Sequence, residues 1–275
     1  MGSLPVGISQ FLIQVQGDRR HQLLEYAIAQ GHGVEIADFT APGALDDGAR
    51  RAELVSWYRS RLREVEGLIG FHAAFRDLAP SAVDLRVRAA SRDRVTECLD
   101  ISEELGATYT VFHSDVSMQI LNPDSLSQWV QRQAAFWREV MAGRTAVLLL
   151  ENCAEPDPEI TEAALDAIGL ESAGICFDPA HAHLAGALWA KARAQDAWAS
   201  PGEWVAHLGR SVRYLHLSDN DLSGDQHLAP GGGTIDWEGF LAALSDCGLS
   251  LPAVIEVPGV EGARETEQYL CGLGS

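Results

Sequence analysis

The sequence predicts an α/β fold, a single (β/α)8 TIM barrel of eight parallel strands, with residues 1–275 forming one domain. Three observations carry that reading. Short apolar runs rich in strand-forming residues recur eight times. Each is followed by a longer stretch whose apolar positions fall at helical spacing. No Gly-x-Gly-x-x-Gly follows the first run, which counts against the rival, an open doubly wound sheet. Strands that alternate with helices pair in parallel, because each crossover needs a covering segment. Eight such units in 275 residues suit a closed ring.

The first strand is expected at Pro5–Ser9, followed by a helical segment over Arg19–Gln30. The second, Gly33–Ile36, carries Glu35 between Val34 and Ile36 and leads into Asp47–Glu64. The third, Gly67–Phe75, contains Phe71-His72-Ala73-Ala74-Phe75, with Asp84–Leu105 as its helix. The fourth, Tyr109–His113, ends in His113-Ser114 and precedes Ser125–Met141. The fifth, Ala146–Glu151, is an unbroken apolar run up to Leu150, as suits a strand buried on both faces. It closes on Glu151-Asn152 ahead of Glu159–Ile168. The sixth, Gly174–Asp178, runs into Asp178-Pro179-Ala180-His181 and one long segment, Ala182–Leu208. The seventh, Val212–His216, precedes Asp236–Cys247, and the eighth, Ala253–Val257, contains Glu256 ahead of Ala263–Leu273.

Composition removes several functions. With 47% hydrophobic residues the chain can bury a sizeable core. The balance of 20 Lys+Arg against 39 Asp+Glu, a net charge of −19, repels phosphate backbones and anionic lipid at long range. That argues against a nucleic-acid partner and against a membrane surface. No uncharged apolar run reaches the roughly 20 residues of a membrane span, and Met1–Pro5 lacks the basic and apolar regions of a signal peptide. Five cysteines with no Cys-x-x-Cys pair read as reduced thiols, so a cytoplasmic location is expected. Nothing in the sequence sets the oligomeric state.

The polar residues at the strand ends point to chemistry. In this architecture side chains from different strands converge at the carboxyl ends, and here six strands end on or near His72, His113, Glu151, Asp178, His216 or Glu256. His181 follows Asp178, and Asp225-Gln226-His227 lies after strand seven, ahead of the glycine-rich Pro230–Gly233. One strand-end histidine is ordinarily a hydrogen-bonded core residue, and one buried carboxylate can pair with arginine. Many at one barrel mouth destabilise the fold unless a cation neutralises them. Imidazole plus carboxylate suits Zn2+, Mn2+ or Fe2+.

Glu151, Asp178-x-x-His181, His216-Leu217-Ser218-Asp219 and Glu256 give the chain its resemblance, over nearly its whole length, to the xylose isomerase-like TIM barrels. That superfamily, which includes AP endonuclease family 2, contains sugar and sugar-phosphate isomerases and epimerases and endonuclease IV-type hydrolases. The isomerase branch implies one divalent metal on Glu151, Asp178, His216 and Glu256, with Glu151 and Glu256 as acid and base. The endonuclease branch implies up to three zinc ions. His72, His113 and Glu151 would hold one, Glu151 would bridge to a second on Asp178, His216 and Glu256, and His181, Asp225 and His227 would hold the third. All nine positions are filled. The resemblance therefore implies a metal-dependent hydrolase of a small phosphoester, with sugar or sugar-phosphate isomerase/epimerase as the alternative. In that alternative a histidine among the extra residues binds substrate hydroxyls instead. Leu222 stands where ketose 3-epimerases carry a substrate-holding arginine, and the loop Leu217–Gly224 is shorter than in the DNA-repair branch.

Other residues are read more simply. Arg76 and Asp77 form a surface ion pair or touch an anionic substrate; Glu35 contacts substrate or pairs structurally. His183 starts the following helix or supports a ligand from behind, Asn152 and Asp219 support ligands from behind, and His21 and His32 lie on the surface. Trp189, Trp198 and Trp204 pack helices or wall the substrate.

Overall fold

The computed structural model describes residues 4–116, 122–193 and 200–273. Eight parallel strands close into a barrel in chain order. They are β1 Ile8–Val15, β2 Gly33–Ile36, β3 Ile69–His72, β4 Tyr109–His113, β5 Val147–Glu151, β6 Ala173–Phe177, β7 Val212–Leu217 and β8 Leu251–Ile255. Pairing of β1 with both β2 and β8 closes the ring. Outside run α1 Arg20–Gln30, α2 Pro42–Asp46, α3 Gly48–Arg61, α4 Leu85–Glu104, α5 Pro123–Val140, α6 Pro158–Ile168, α7 Pro179–Arg193, α8 Pro201–Leu208, α9 Trp237–Asp246 and α10 Gly259–Leu273. Side chains of Asp47, Asp84, Asn122, Asp157 and Asp236 accept from first-turn amides and start five of them. No helix of the described residues is long and apolar enough to cross a membrane.

Three expectations need correction. The first strand is Ile8–Val15 rather than Pro5–Ser9. Gly7 has φ +82° and the Ile8 N–H bonds the Pro5 carbonyl at 3.1 Å, so Pro5–Gly7 is a turn. The expected Asp47–Glu64 helix is preceded by the separate short α2 and ends in a 3-10 turn at Leu62–Glu64. The long sixth segment holds two helices, because Ser200 and Glu203 form a capping box and Pro201 takes the first turn of α8. Trp198 lies outside the described residues.

Side-chain alternation builds the site's floor. Leu12, Tyr109, Val111, Leu149, Cys176 and Val254 fill the barrel interior. Side chains of one strand face return every second residue, so the next interior positions up are Gln14, His113, Glu151, Asp178 and Glu256. A larger apolar layer, including Trp137, Trp204, Phe177 and Phe240, sits between strands and helices. Gly70 leaves room for Tyr109, whose hydroxyl would stand 2.2 Å from a Cβ added there.

Candidate metal centre

Register brings the groups together. His113 of β4 is the Cα partner of Glu151 of β5, and His72 ends the neighbouring β3. Asp178 and Glu256 each stand one residue beyond their strands, β6 and β8, where the expected strands contained them. Glu151 is the hub. Its Oε2 lies 3.3 Å from His72 Nε2 and 3.2 Å from His113 Nε2. Its Oε1 lies 3.1 Å from His181 Nδ1 and 3.4 Å from His216 Nδ1. The other face of the cluster has His216 Nδ1 3.4 Å from Glu256 Oε2. Asp225 Oδ2 is 3.5 Å from His181 Nε2 and 3.4 Å from His227 Nε2. All nine residues singled out from the sequence thus meet at one end of the barrel.

The supporting contacts are local. Asn152 accepts from the Asp178 N–H and donates to the Asp178 carbonyl, both at 2.9 Å. His181 Nδ1 is 2.9 Å from the Asn152 carbonyl and His227 Nδ1 is 2.9 Å from the Glu256 carbonyl, which leaves each Nε2 facing Asp225. The loop carrying Asp225 and His227 is pinned by buried Asp219, which accepts from the N–H groups of Asn220, Gly231 and Ile235 and from the Trp237 indole. Gly233 of the glycine run packs against it, since a Cβ there would stand 2.3 Å from Asp219 Oδ1. His183 Nε2 meets the Thr234 hydroxyl at 2.9 Å and so braces the same loop.

Electrostatics follow from burial and crowding. Burial pushes the Glu151 carboxyl up, but His113 and His216 outweigh it and hold it well below its usual range. Burial raises Asp178 and Glu256, and the Glu151 charge adds to both shifts. Burial pulls His181 down, yet Asp178 and Asp225 lift it well above its usual value. Burial lowers His113, whereas the hydrogen bond to Asp225 pushes His227 up to about 10.

The ion pairs of Glu151, Asp178 and Glu256 among the described residues are all with histidines, so arginine pairing does not explain these carboxylates. Glu151 Oε2, Asp178 Oδ2 and His216 Nδ1 are buried without a hydrogen-bond partner. They belong to the group Glu151, Asp178, His216 and Glu256, whose donor atoms lie within 4.8 Å of one another; His72, His113 and Glu151 form a second such group. Orphaned lone pairs on oxygen and imidazole nitrogen fit a divalent transition metal, and these clusters could hold one. Beside Glu256 opens a cleft of about 560 Å³ lined by Gln14, Gln16, Arg19, Gln226 and His227.

The secondary expectations resolve one by one. Glu35 is fully buried and bonds to Tyr109 and His216, which makes it a structural partner and not a substrate contact. Arg76 lies over the Phe75 ring at 5.6 Å, and the described ion pairs do not join it to Asp77. His32 is half-buried against Phe11 and Tyr26 and 3.0 Å from Glu267, whereas His21 is exposed. Trp204 packs in the core and Trp189 donates to the Ala154 carbonyl. Sequence reading missed Gln14, which donates to Glu256, and Cys153, which groups with Glu151 and His181.

Comparison with known proteins agrees with the geometry. The model of the xylose isomerase-like TIM barrel family matches residues 27–271. An uncharacterised protein of Methanocaldococcus jannaschii is 26% identical over 220 residues, 75% of this chain and 69% of that one. The solved structure of the TTHB071 protein from Thermus thermophilus, soaked with ZnCl2, is 26% identical, covers 97% of this chain and 100% of its own, and superposes with a TM-score of 0.74. A D-tagatose 3-epimerase-like protein shares the fold at 20% identity and a TM-score of 0.76, over 96% of this chain and 97% of its own. A match over residues 27–271, on a closed eight-stranded barrel, means that the chain belongs to the xylose isomerase-like TIM barrel family.

Proposed function

We propose that the chain is a metal-dependent hydrolase of a small phosphoester, with His72, His113, Glu151, Asp178, His181, His216, Asp225, His227 and Glu256 holding up to three divalent ions, Zn2+ first among them. One observation carries this reading: the two oxygens of buried Glu151 face two different sets of histidines, His72 and His113 on one side, His181 and His216 on the other. A carboxylate so divided serves two cations more naturally than one. When bound, such cations activate water and offset charge building on phosphoryl oxygens. The chain's own residues do the rest. Gln14 holds Glu256 at the edge of the cleft, where substrate has access. His227 and Glu256 line that cleft, so the ligands they would supply border the space open to substrate. Asn152 keeps Asp178 in place from behind.

A second reading, a sugar or sugar-phosphate isomerase or epimerase with one metal, is the one the comparisons support better, since similar structures include a D-tagatose 3-epimerase-like protein and an L-ribulose 3-epimerase. Its geometric support is that Glu151 and Glu256 each bring an oxygen to 3.4 Å from His216 Nδ1, within one group of donor atoms. Two such carboxylates can take and return a proton on one carbon. Elemental analysis of zinc-loaded protein, with turnover of a model phosphodiester and deuterium exchange on a ketose panel, separates the two. Two or three metals per chain with phosphodiester turnover supports the hydrolase. One metal per chain, with solvent deuterium appearing beside a ketose carbonyl, refutes it and supports the isomerase.

A further inference from the structure

Glu35 lies inside the barrel with no exposed surface, beneath the candidate ligands. Its Oε1 and Oε2 are each 3.3 Å from His216 Nε2, and Tyr109 donates its hydroxyl to Oε2 at 3.0 Å. Across the same ring, His216 Nδ1 faces Glu151 and Glu256 and has no hydrogen-bond partner. A neutral imidazole carries one N–H, so the acceptor on one nitrogen decides where the other lone pair points. We infer that Glu35 is a positioning residue: by accepting the Nε2 proton of His216 it fixes the tautomer whose Nδ1 lone pair faces the cation site.

The surrounding contacts favour this role. His72, His181 and His227 rest Nδ1 on backbone carbonyls of Ala73, Asn152 and Glu256. His216 instead rests on a carboxyl group, a stronger acceptor that raises the basicity of the opposite nitrogen. Glu35 is held in turn, because Tyr109 is buried, packs at a tilt against Tyr214 with centroids 4.0 Å apart, and occupies the space Gly70 leaves open. An acid serving only barrel packing has no need of a histidine whose far side ends in an orphaned nitrogen.

The inference rests on His216 holding a cation, and the test keeps the two apart. In zinc-loaded protein labelled with 15N-histidine, His216 is expected to show a protonated Nε2 and a metal-bound Nδ1. Glu35→Ala is expected to weaken zinc binding 10- to 100-fold. Glu35→Gln keeps the volume and one acceptor oxygen, so it is expected to lose less and to retain the Nε2–H signal. Zinc on Nε2 with the proton on Nδ1 overturns the inference, as does wild-type zinc affinity in both variants. Should Glu35→Ala fail to fold, the wild-type spectrum and Glu35→Gln still decide. Wild-type protein that takes up no zinc overturns the metal reading itself.

Discussion

Replacing Glu151 by glutamine removes one charge and almost no volume, at the position where the site's distances converge. His72, His113, His181 and His216 all lie within 3.1–3.4 Å of its two oxygens. If the carboxylate is shared, one substitution weakens two cation sites and leaves the His181–Asp225–His227 trio. Zinc at 100 times its Kd stabilises the folded chain by about 2.7 kcal/mol per site. A 100-fold loss of affinity leaves about 0.4 kcal/mol at the same concentration, a difference of about 2.3 kcal/mol. At roughly 2–4 °C per kcal/mol for a chain somewhat below this size, the zinc-induced rise in Tm shrinks by about 5–9 °C for each weakened site. Comparing each protein with and without zinc cancels any direct effect of the substitution on the fold. Scanning fluorimetry reads the shift and elemental analysis reads the stoichiometry; with each weakened site about half filled, three ions should fall to about two, and two to about one. A variant that keeps the wild-type zinc content and the full zinc-induced shift refutes the shared-ligand argument.

Three further outcomes test the surroundings. Gly70→Ala places a methyl 2.1–2.2 Å from the Tyr109 ring and hydroxyl; it should cost about 1–3 kcal/mol by overpacking, read as a lower urea midpoint. Asp219→Ala deprives three backbone N–H groups and the Trp237 indole of their acceptor; at about 1–3 kcal/mol for each donor left buried and unpaired, calorimetry should show a loss of several kcal/mol, and zinc titration should show the Asp225–His227 end suffering first. Zinc added to weakly buffered protein at neutral pH should acidify the solution. His227, pushed up to about 10 by Asp225, and His181, lifted well above its usual value, carry protons that a cation must displace. Zinc affinity should therefore rise as pH increases from 6 to 8, and a flat profile by competitive titration contradicts this.

The barrel and six of the nine clustered residues were legible because both come from one periodicity, whereas His181, Asp225 and His227 lie outside the strands and their place in the set came from the family resemblance. Strands buried on both faces write themselves as apolar runs, and the residue that breaks each run marks the mouth. What was not legible came from contacts between distant segments. Glu35 looked like a mouth residue because β2 is short, and only the closed ring shows that it sits below His216 and beside Tyr109. Gln14 was lost when the first strand was expected at Pro5–Ser9. The alternation Leu12, Gln14 within Ile8–Val15 carries the signal, but Pro5 and Gly7 look like part of the same apolar stretch. The split of the sixth segment was readable at Ser200-Pro201-Gly202-Glu203, a capping signature inside an otherwise helical pattern. Arg76 lies over Phe75 and Asp77 takes a φ of +60°, neither of which a spacing rule encodes.

Charge connects the number of ions to the kind of substrate. The nine clustered residues contain four carboxylic acids, Glu151, Asp178, Asp225 and Glu256, and five histidines. Without a cation, protons do the neutralising, which is why burial and mutual repulsion raise Asp178 and Glu256 while His181 and His227 hold theirs tightly. With all four acids ionised and the imidazoles neutral, one dication leaves two negative charges uncompensated in the cluster. Two dications balance it, and three leave a surplus of two positive charges. A surplus in a buried place attracts an anion, and a phosphoryl group supplies one while a neutral sugar does not. The chain as a whole carries −19 and repels anions at long range, so an anionic substrate would depend on that local surplus to bind. On the multinuclear reading, raising the ionic strength should therefore help a phosphoester reach the mouth by screening the outer charge, and steady-state KM measured from about 0.02 to 0.2 M salt should fall. A KM that climbs steeply with salt would mean that exposed basic groups, and not a buried surplus, draw the substrate in, and would refute the local-surplus argument.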